Sequence, residues 1–278
     1  DSSKNIIKGA PFEQGEDSTL LADFKRKVNA LEIDQAEKDA LISKATEALK
    51  SAVKPAYSKL INYIAQLEKR ADDRDGAWKF PDGEAFYNNA LKRTTTTDLT
   101  AKEIHAIGLA EVSRIHDEMR AIKDKVGFEG DLNAFMQFMK TDKQFYLANT
   151  EAGKAQYLSE AKGLIDNMKT RLDELFIVKP KADMIVKRVE AFREKAAGKA
   201  FYQQPAPDGS RPGIYYANLY DMEAMPTYQM EALAYHEGIP GHHMQIAISQ
   251  ELEGVPKFRK FGGYTAYIEG WGLYSELL

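Results

Sequence analysis

The sequence predicts a mainly α-helical, multi-helix fold with a short β element just ahead of the helix that carries the functional motif. Three observations support this. Apolar residues recur at spacings of three and four from Tyr57 to Leu67 and from Leu158 to Leu175. Helix-start residues stand in front of several of these runs. Only one stretch, Ile214-Tyr215-Tyr216-Ala217-Asn218-Leu219, has strand-like character.

Residues 1 to 16 are polar and read as an exposed lead-in. From Ser18 to Lys69 the composition is helix-forming. Pro55 suits the first turn of a helix carrying Tyr57, Leu60, Ile64 and Leu67, because the N–H it lacks has no partner there anyway. Ala71 to Asp75 is a charged turn. Trp78, Phe80, Phe86 and Tyr87 flank the turn residues Pro81-Asp82-Gly83. These aromatics are expected in a core rather than lining a cleft, since such side chains dominate burial. Thr94 to Thr97 reads as a loop or an extended segment.

Thr100 and Glu103 have the spacing of a capping box and open a helix to about Lys125. His105 and His116 lie on it and are expected to be surface or packing residues. Asp131 caps a short helix with Phe135, Met136, Phe138 and Met139. Thr150 begins what is expected to be the longest helix, with a seam of Leu158, Ala161, Ile165, Met168, Leu172 and Leu175 that ends before Pro180. A further amphipathic helix is expected from about Lys181 to Ala197, through Ile185, Val189 and Phe192. After Gly198 the composition changes. Residues 203 to 213 are rich in Pro and Gly, and the strand-like segment follows. That segment is either a structural hairpin or an edge strand able to align a peptide by main-chain hydrogen bonds. Met225-Pro226 leads into a helix through Tyr228, Leu233 and His236. The expected organisation is a helical scaffold over 1–200 and a region carrying the motif over 201–278.

Composition excludes several classes of function. The net charge is −4 with acids and bases interspersed, so no nucleic-acid footprint is present. Apolar runs such as Leu175-Phe176-Ile177-Val178 are far too short to be a membrane-spanning segment. With no cysteine, disulfides and thiolate ligands are impossible.

The chemistry concentrates in Tyr235-His236-Glu237-Gly238-Ile239-Pro240-Gly241-His242-His243, which holds three of the five histidines. A His-Glu pair ahead of a further histidine is the pattern of a zinc hydrolase: one imidazole holds the metal, the glutamate acts on water, and a later imidazole closes the pair. The usual spacing puts the second histidine at i+4, on the same helix face, but here that position is Pro240. On an undisturbed helix neither His242 at i+6 nor His243 at i+7 lies beside His236. Gly238, Pro240 and Gly241 are residues that break or bulge a helix, which would swing a later histidine back. His242 is favoured for this role, with His243 as its neighbour. Downstream, Gly263 to Glu276 reads as a helix on which Glu269 could supply a third ligand. Gly270 and Gly272 within it mark a close approach by another group. Glu231 is expected to be a solvated surface residue.

His-Glu-Gly-Ile-Pro-Gly-His-His followed by Glu-Gly-Trp-Gly-Leu-Tyr resembles the bacterial family known as domain of unknown function 885, grouped with zinc metallopeptidases of the thermolysin, thimet oligopeptidase and angiotensin-converting enzyme kind. The resemblance extends upstream through Pro81 to Tyr87, Thr100 to Leu109 and Gly213 to Asn218. It implies a zincin-like (gluzincin-like) fold, Zn2+ as cofactor, His236, His242 and Glu269 as metal ligands, and Glu237 as general base. Members of the family are longer, so the chain looks truncated and its catalytic region incomplete. The implied reaction is hydrolysis of peptide bonds, with short peptides as substrates. Tyr264, Tyr267 and Tyr274 are weak candidates for the oxyanion donor. An extracytoplasmic location, periplasmic or lipoprotein, is expected over a cytoplasmic one. Two alternatives stand beside this reading: a non-peptide amide or ester hydrolase, and a silent binding module whose motif has decayed at Pro240.

Overall fold

A computed structural model describes residues 2–278. The chain forms two compact units. One takes in the chain up to Arg74 together with Glu190–Ala196; the other comprises Asp75–Val189 and Ala197–Leu278. Position 200, near which the composition changes, lies within a strand of the second unit.

The first unit is helical: α1 (Ser2–Ile6), α2 (Thr19–Asn29), α3 (Gln35–Ala48) and α4 (Lys54–Glu68). Ser18 and Asp34 cap α2 and α3 by accepting N–H bonds at their third residues. Pro55 does sit in the first turn of α4. However, α3 runs into α4 through a π turn, Leu49–Val53, so the proline follows a widened turn rather than opening a separate helix. A small core of Phe12, Leu21 and Leu49 holds the unit.

The second unit contains the larger core. α5 (Gly83–Thr95) and α6 (Ala101–Lys125) precede α7 (Leu132–Thr141) and α8 (Glu151–Arg171). The capping box of Thr100 and Glu103 is present, with both of its reciprocal bonds. Asp131 and Thr150 cap the next two helices as expected. α6, at 25 residues, is longer than α8, at 21, which corrects the expectation that the helix starting at Thr150 is the longest. The seam of α8 is Tyr157, Ala161, Ile165 and Met168, continued by Leu172 in the turn that follows; Tyr157 rather than Leu158 is its first fully buried member, and Leu175 is exposed. Trp78, Phe80, Phe86 and Tyr87 are also exposed, so they are not core residues.

The segment expected as a helix from Lys181 to Ala197 instead forms β1 (Met184–Arg188) followed by turns. Its Met-Ile-Val run favours a pleated, half-buried surface, and pairing with a central strand outweighs the weak helical periodicity. β2 (Ala200–Gln203) and β3 (Gly213–Ala217) complete a three-stranded sheet of order β1-β3-β2. β3 runs parallel to β1, with Ile185 opposite Ile214, and antiparallel to β2, with Tyr202 opposite Tyr215. All five residues of β3 are buried because both faces are covered: Tyr215 and Ala217 enter the main core, and Ile214 and Tyr216 a second cluster with Val189. β3 is therefore the central strand, and the edge beside the functional motif belongs to β2.

Beyond the sheet lie α9 (Met230–Glu237), α10 (His242–Glu251), α11 (Lys257–Phe261) and α12 (Thr265–Ser275). α8, β3 and α9 share one apolar core through Ile165, Tyr215, Leu219, Met222, Met225, Ala234 and Ile239. That core holds α9 and the start of α10 against α8 and β3. Among the described residues, no helix is long and apolar enough to cross a membrane.

Candidate metal centre

The irregular motif is built as a break between two helices. His236 and Glu237 are the last residues of α9, and His242 and His243 are the first of α10. Between them Gly238 and Gly241 take ψ angles of −115° and −128°, far from helical values, and the Ile239–Pro240 peptide is cis. Hydrogen bonds cross the break with widened spacing: Gly241 N–H donates to Tyr235 O at 2.9 Å and His243 N–H to Gly238 O at 3.0 Å. The chain thus resumes its helix after extra residues have been looped out, and His242 returns to the side of His236. Their rings lie edge to face with centroids 4.6 Å apart.

α12 closes the site from the other side. Trp271 Nε1–H donates to Pro240 O at 2.9 Å, tying this helix to the break. A Cβ on Gly272 would fall 2.7 Å from His236 Nε2, so only glycine lets the imidazole lie against α12 at this position. Gly270 has open space around it, so of the two glycines expected to mark a close approach, only Gly272 does.

These contacts bring His236, His242 and Glu269 together, with one ligand atom of each within 4.8 Å of the others. Glu269 Oε2 lies 3.5 Å from His236 Nε2 and 3.7 Å from His242 Nε2. Donors around a tetrahedral zinc ion, with bonds of about 2.1 Å, stand roughly 3.4 Å apart, close to the two separations from Glu269. The Glu269 side chain is 57% exposed while His242 is buried, so the site opens to solvent on the glutamate side.

Glu276, which the sequence reading left unassigned, is part of the site. Its Oε1 lies 2.7 Å from His236 Nδ1. A carboxylate only accepts, so Nδ1 carries the proton and Nε2 turns its lone pair toward Glu269 and His242. The sequence signal is the spacing of seven between Glu269 and Glu276, which puts both on one face of the helix end.

Glu237 is buried beside this group. Burial pushes its carboxyl up to about 7; the neighbouring His236 opposes the rise, the Glu269 charge adds to it, and the Tyr202 backbone N–H from the edge strand draws it part of the way back. His242 is held below the ordinary histidine range, by burial first and by the nearby His236 second.

His243 faces the other way. Its Nδ1 lies 2.9 Å from the Tyr202 hydroxyl and its Nε2 2.9 Å from Ala182 O. Ala182 O can only accept, so Nε2 is protonated and the Tyr202 hydroxyl donates to Nδ1. Burial lowers the His243 pKa to about 4. A Cβ on Gly213 would come within 2.5 Å of Nδ1, so the first residue of β3 must be small for this bond to exist. With both ring nitrogens engaged, His243 is a clamp between β2, α10 and the segment before β1, and His242 is the histidine that joins the cluster. His105 and His116 stay on α6 outside it. Glu231 is exposed and accepts from the Tyr235 hydroxyl at 2.9 Å, touching none of the three candidate ligands. Tyr264, Tyr267 and Tyr274 are exposed around α12.

Over residues 1–278 the sequence matches the family described as "Bacterial protein of unknown function (DUF885)", and the chain belongs to that family. No curated protein matches it. Among solved structures, it is similar to the "putative lipoprotein" of Colwellia psychrerythraea, at 32% identity and a TM-score of 0.90, over 99% of this chain and 47% of that one. It also shares its fold with a "putative lipoprotein of unknown function" of Shewanella oneidensis, at 20% identity and a TM-score of 0.54, over 92% of this chain and 47% of that one. The chain thus spans about half the length of these two proteins.

Proposed function

We propose that this chain carries the centre of a zinc-dependent peptidase acting on short peptides. The observation that carries the reading is the convergence of His236 Nε2, His242 Nε2 and Glu269 Oε2 beside the buried Glu237 carboxylate. Two neutral imidazoles and one carboxylate are the ligand set of a catalytic zinc site that keeps a position open. Zinc bound there would supply a Lewis acid and lower the pKa of water toward neutrality.

The chain's own residues would do the rest. Glu237 would take a proton from water at its carboxylate and release it to the leaving amine, and a carboxyl poised near neutrality suits both steps. Glu276 would hold His236 in the tautomer that leaves Nε2 free. β2 has one edge unpaired in the sheet, and its Tyr202 N–H lies at Glu237, so this edge would align an extended peptide by main-chain hydrogen bonds. The description of the Colwellia protein as a "putative lipoprotein" supports an extracytoplasmic location.

The test pairs metal analysis with turnover. After incubation with zinc and removal of the excess, the chain should hold close to one equivalent, and a His236→Ala variant should hold almost none. Zinc kept by the variant would overturn the ligand assignment. A panel of short peptides, amides and esters then reads the activity, with Glu237→Gln as control. Peptide cleavage abolished by Glu237→Gln supports the reading. Turnover of esters alone would favour a non-peptide hydrolase, and bound zinc with no turnover sensitive to Glu237 would favour a silent module.

A further inference from the structure

A cavity of about 720 Å3 lies among α10, α11 and α12, and two elements link it to the candidate metal centre. The first is the edge strand. β2 packs against α9 with its Tyr202 N–H near enough to act on Glu237, and Gln204, the residue just after β2, lines the cavity. At about 3.3 Å per residue, two strand positions cover roughly 7 Å. The second is α10. Gln245 lines the cavity one turn beyond His242 on the same face. Its Nε2–H donates to Tyr267 O at 3.2 Å, bracing the wall between α10 and α12 two residues before Glu269.

The chemistry of the lining is mixed in a specific way. Leu252 and Ile268 supply an apolar wall, while Arg259 and Lys260 come from α11. No ion pair engages either cation among the described residues. Two cations on successive residues of the lining, with no ion pair of their own among the described residues, can receive an anionic oxygen pair. The volume suits one or two residues of a peptide.

We infer that this cavity is a specificity pocket that takes a carboxylate-bearing part of an extended peptide, one or two residues from the bond held at Glu237, with Arg259 and Lys260 as its receptor. The inference takes its peptide from the proposed function but does not depend on a bound metal. The carboxylate can be the end of the peptide chain or an acidic side chain.

Binding of defined peptides separates these sources. The full chain carrying Glu237→Gln, free of metal, would be titrated calorimetrically with a short alanine–phenylalanine peptide as the free acid and as the amide. A second pair of amidated peptides would carry glutamate or glutamine before the phenylalanine. The expected result is about tenfold tighter binding of the acid in at least one pair, falling to less than twofold after Arg259→Ala and Lys260→Ala together. The pair that shows the preference names the source. Equal affinities within both pairs, or a preference that survives the double substitution, overturns the inference. Arg259→Gln with Lys260→Gln keeps the side-chain length and gives the same reading if the alanine variant folds poorly. Because the titration is run without metal, failure of the zinc centre leaves this result standing, and loss of the charge preference leaves the zinc centre untouched.

Discussion

The Glu276 carboxylate accepts a 2.7 Å hydrogen bond from His236 Nδ1, joining the end of α12 to the last turn of α9. The bond sets the tautomer of the imidazole and the direction of its free lone pair. It also explains why a short helix with almost no charge apart from Glu269 is followed at once by a second glutamate.

Glu276→Gln therefore tests the proposed metal centre. An amide accepts from Nδ1–H more weakly than a carboxylate and no longer balances the charge. Zinc affinity should fall by about 10- to 100-fold, the usual effect of losing such a partner. Competition with a chromophoric chelator measures it, with the circular dichroism spectrum unchanged. Unaltered affinity would remove Glu276 from the site.

Gly272→Ala tests the close approach of α12. The added methyl carbon would stand 2.7 Å from His236 Nε2, inside contact distance of the atom that faces the cluster. The imidazole must turn away, so zinc binding should be lost while helical content stays. Gly270→Ala, at a position with open space, should leave binding as it was.

His243 makes stability depend on pH. Its folded pKa, about 4, lies below the ordinary 6.5, so below pH 6.5 the unfolded chain binds a proton that the folded chain refuses. The stabilisation is complete above pH 6.5, declines as the pH falls and is gone below about 4; it amounts to at most about 3 kcal/mol. Urea unfolding of metal-free protein across this window should show the decline. In a His243→Gln variant, which can still donate to Ala182 O and accept from Tyr202, the decline should be shallower by the histidine's share. Parallel profiles for the two proteins would contradict the assignment.

The break between α9 and α10 rests on α8. Ile165 is 2% exposed and its Cδ1 lies so close to Gly238 that a Cβ there would approach it to 2.4 Å. Ile165→Ala should destabilise the protein by about 2–5 kcal/mol, read as a lower urea midpoint with an unchanged slope. It should also loosen the break, and with it the zinc affinity.

Much of this architecture is written in local sequence. Capping residues at Ser18, Thr100, Asp131 and Thr150 act within one turn of themselves, so they mark helix starts wherever the rest of the chain goes. The imidazoles of His236 and His242, the carboxylates of Glu237 and Glu269 and the helix-breaking residues between the histidines are equally local. Other features depend on distant neighbours. Residues 184–188 carry a pattern that serves a helix or a strand, and pairing with β3 decides it. The choice of His242 over His243 rests on Tyr202 and Ala182, 41 and 61 residues away, which engage both nitrogens of His243. The role of Glu276 exists only because Gly272 lets α12 lie against an imidazole 36 residues upstream. The sequence alone therefore determined several helix starts and the chemical groups available. The tertiary structure decided the sheet, its edge strand and the orientation of each imidazole, because hydrogen bonds between residues far apart in the chain leave no periodic trace in it.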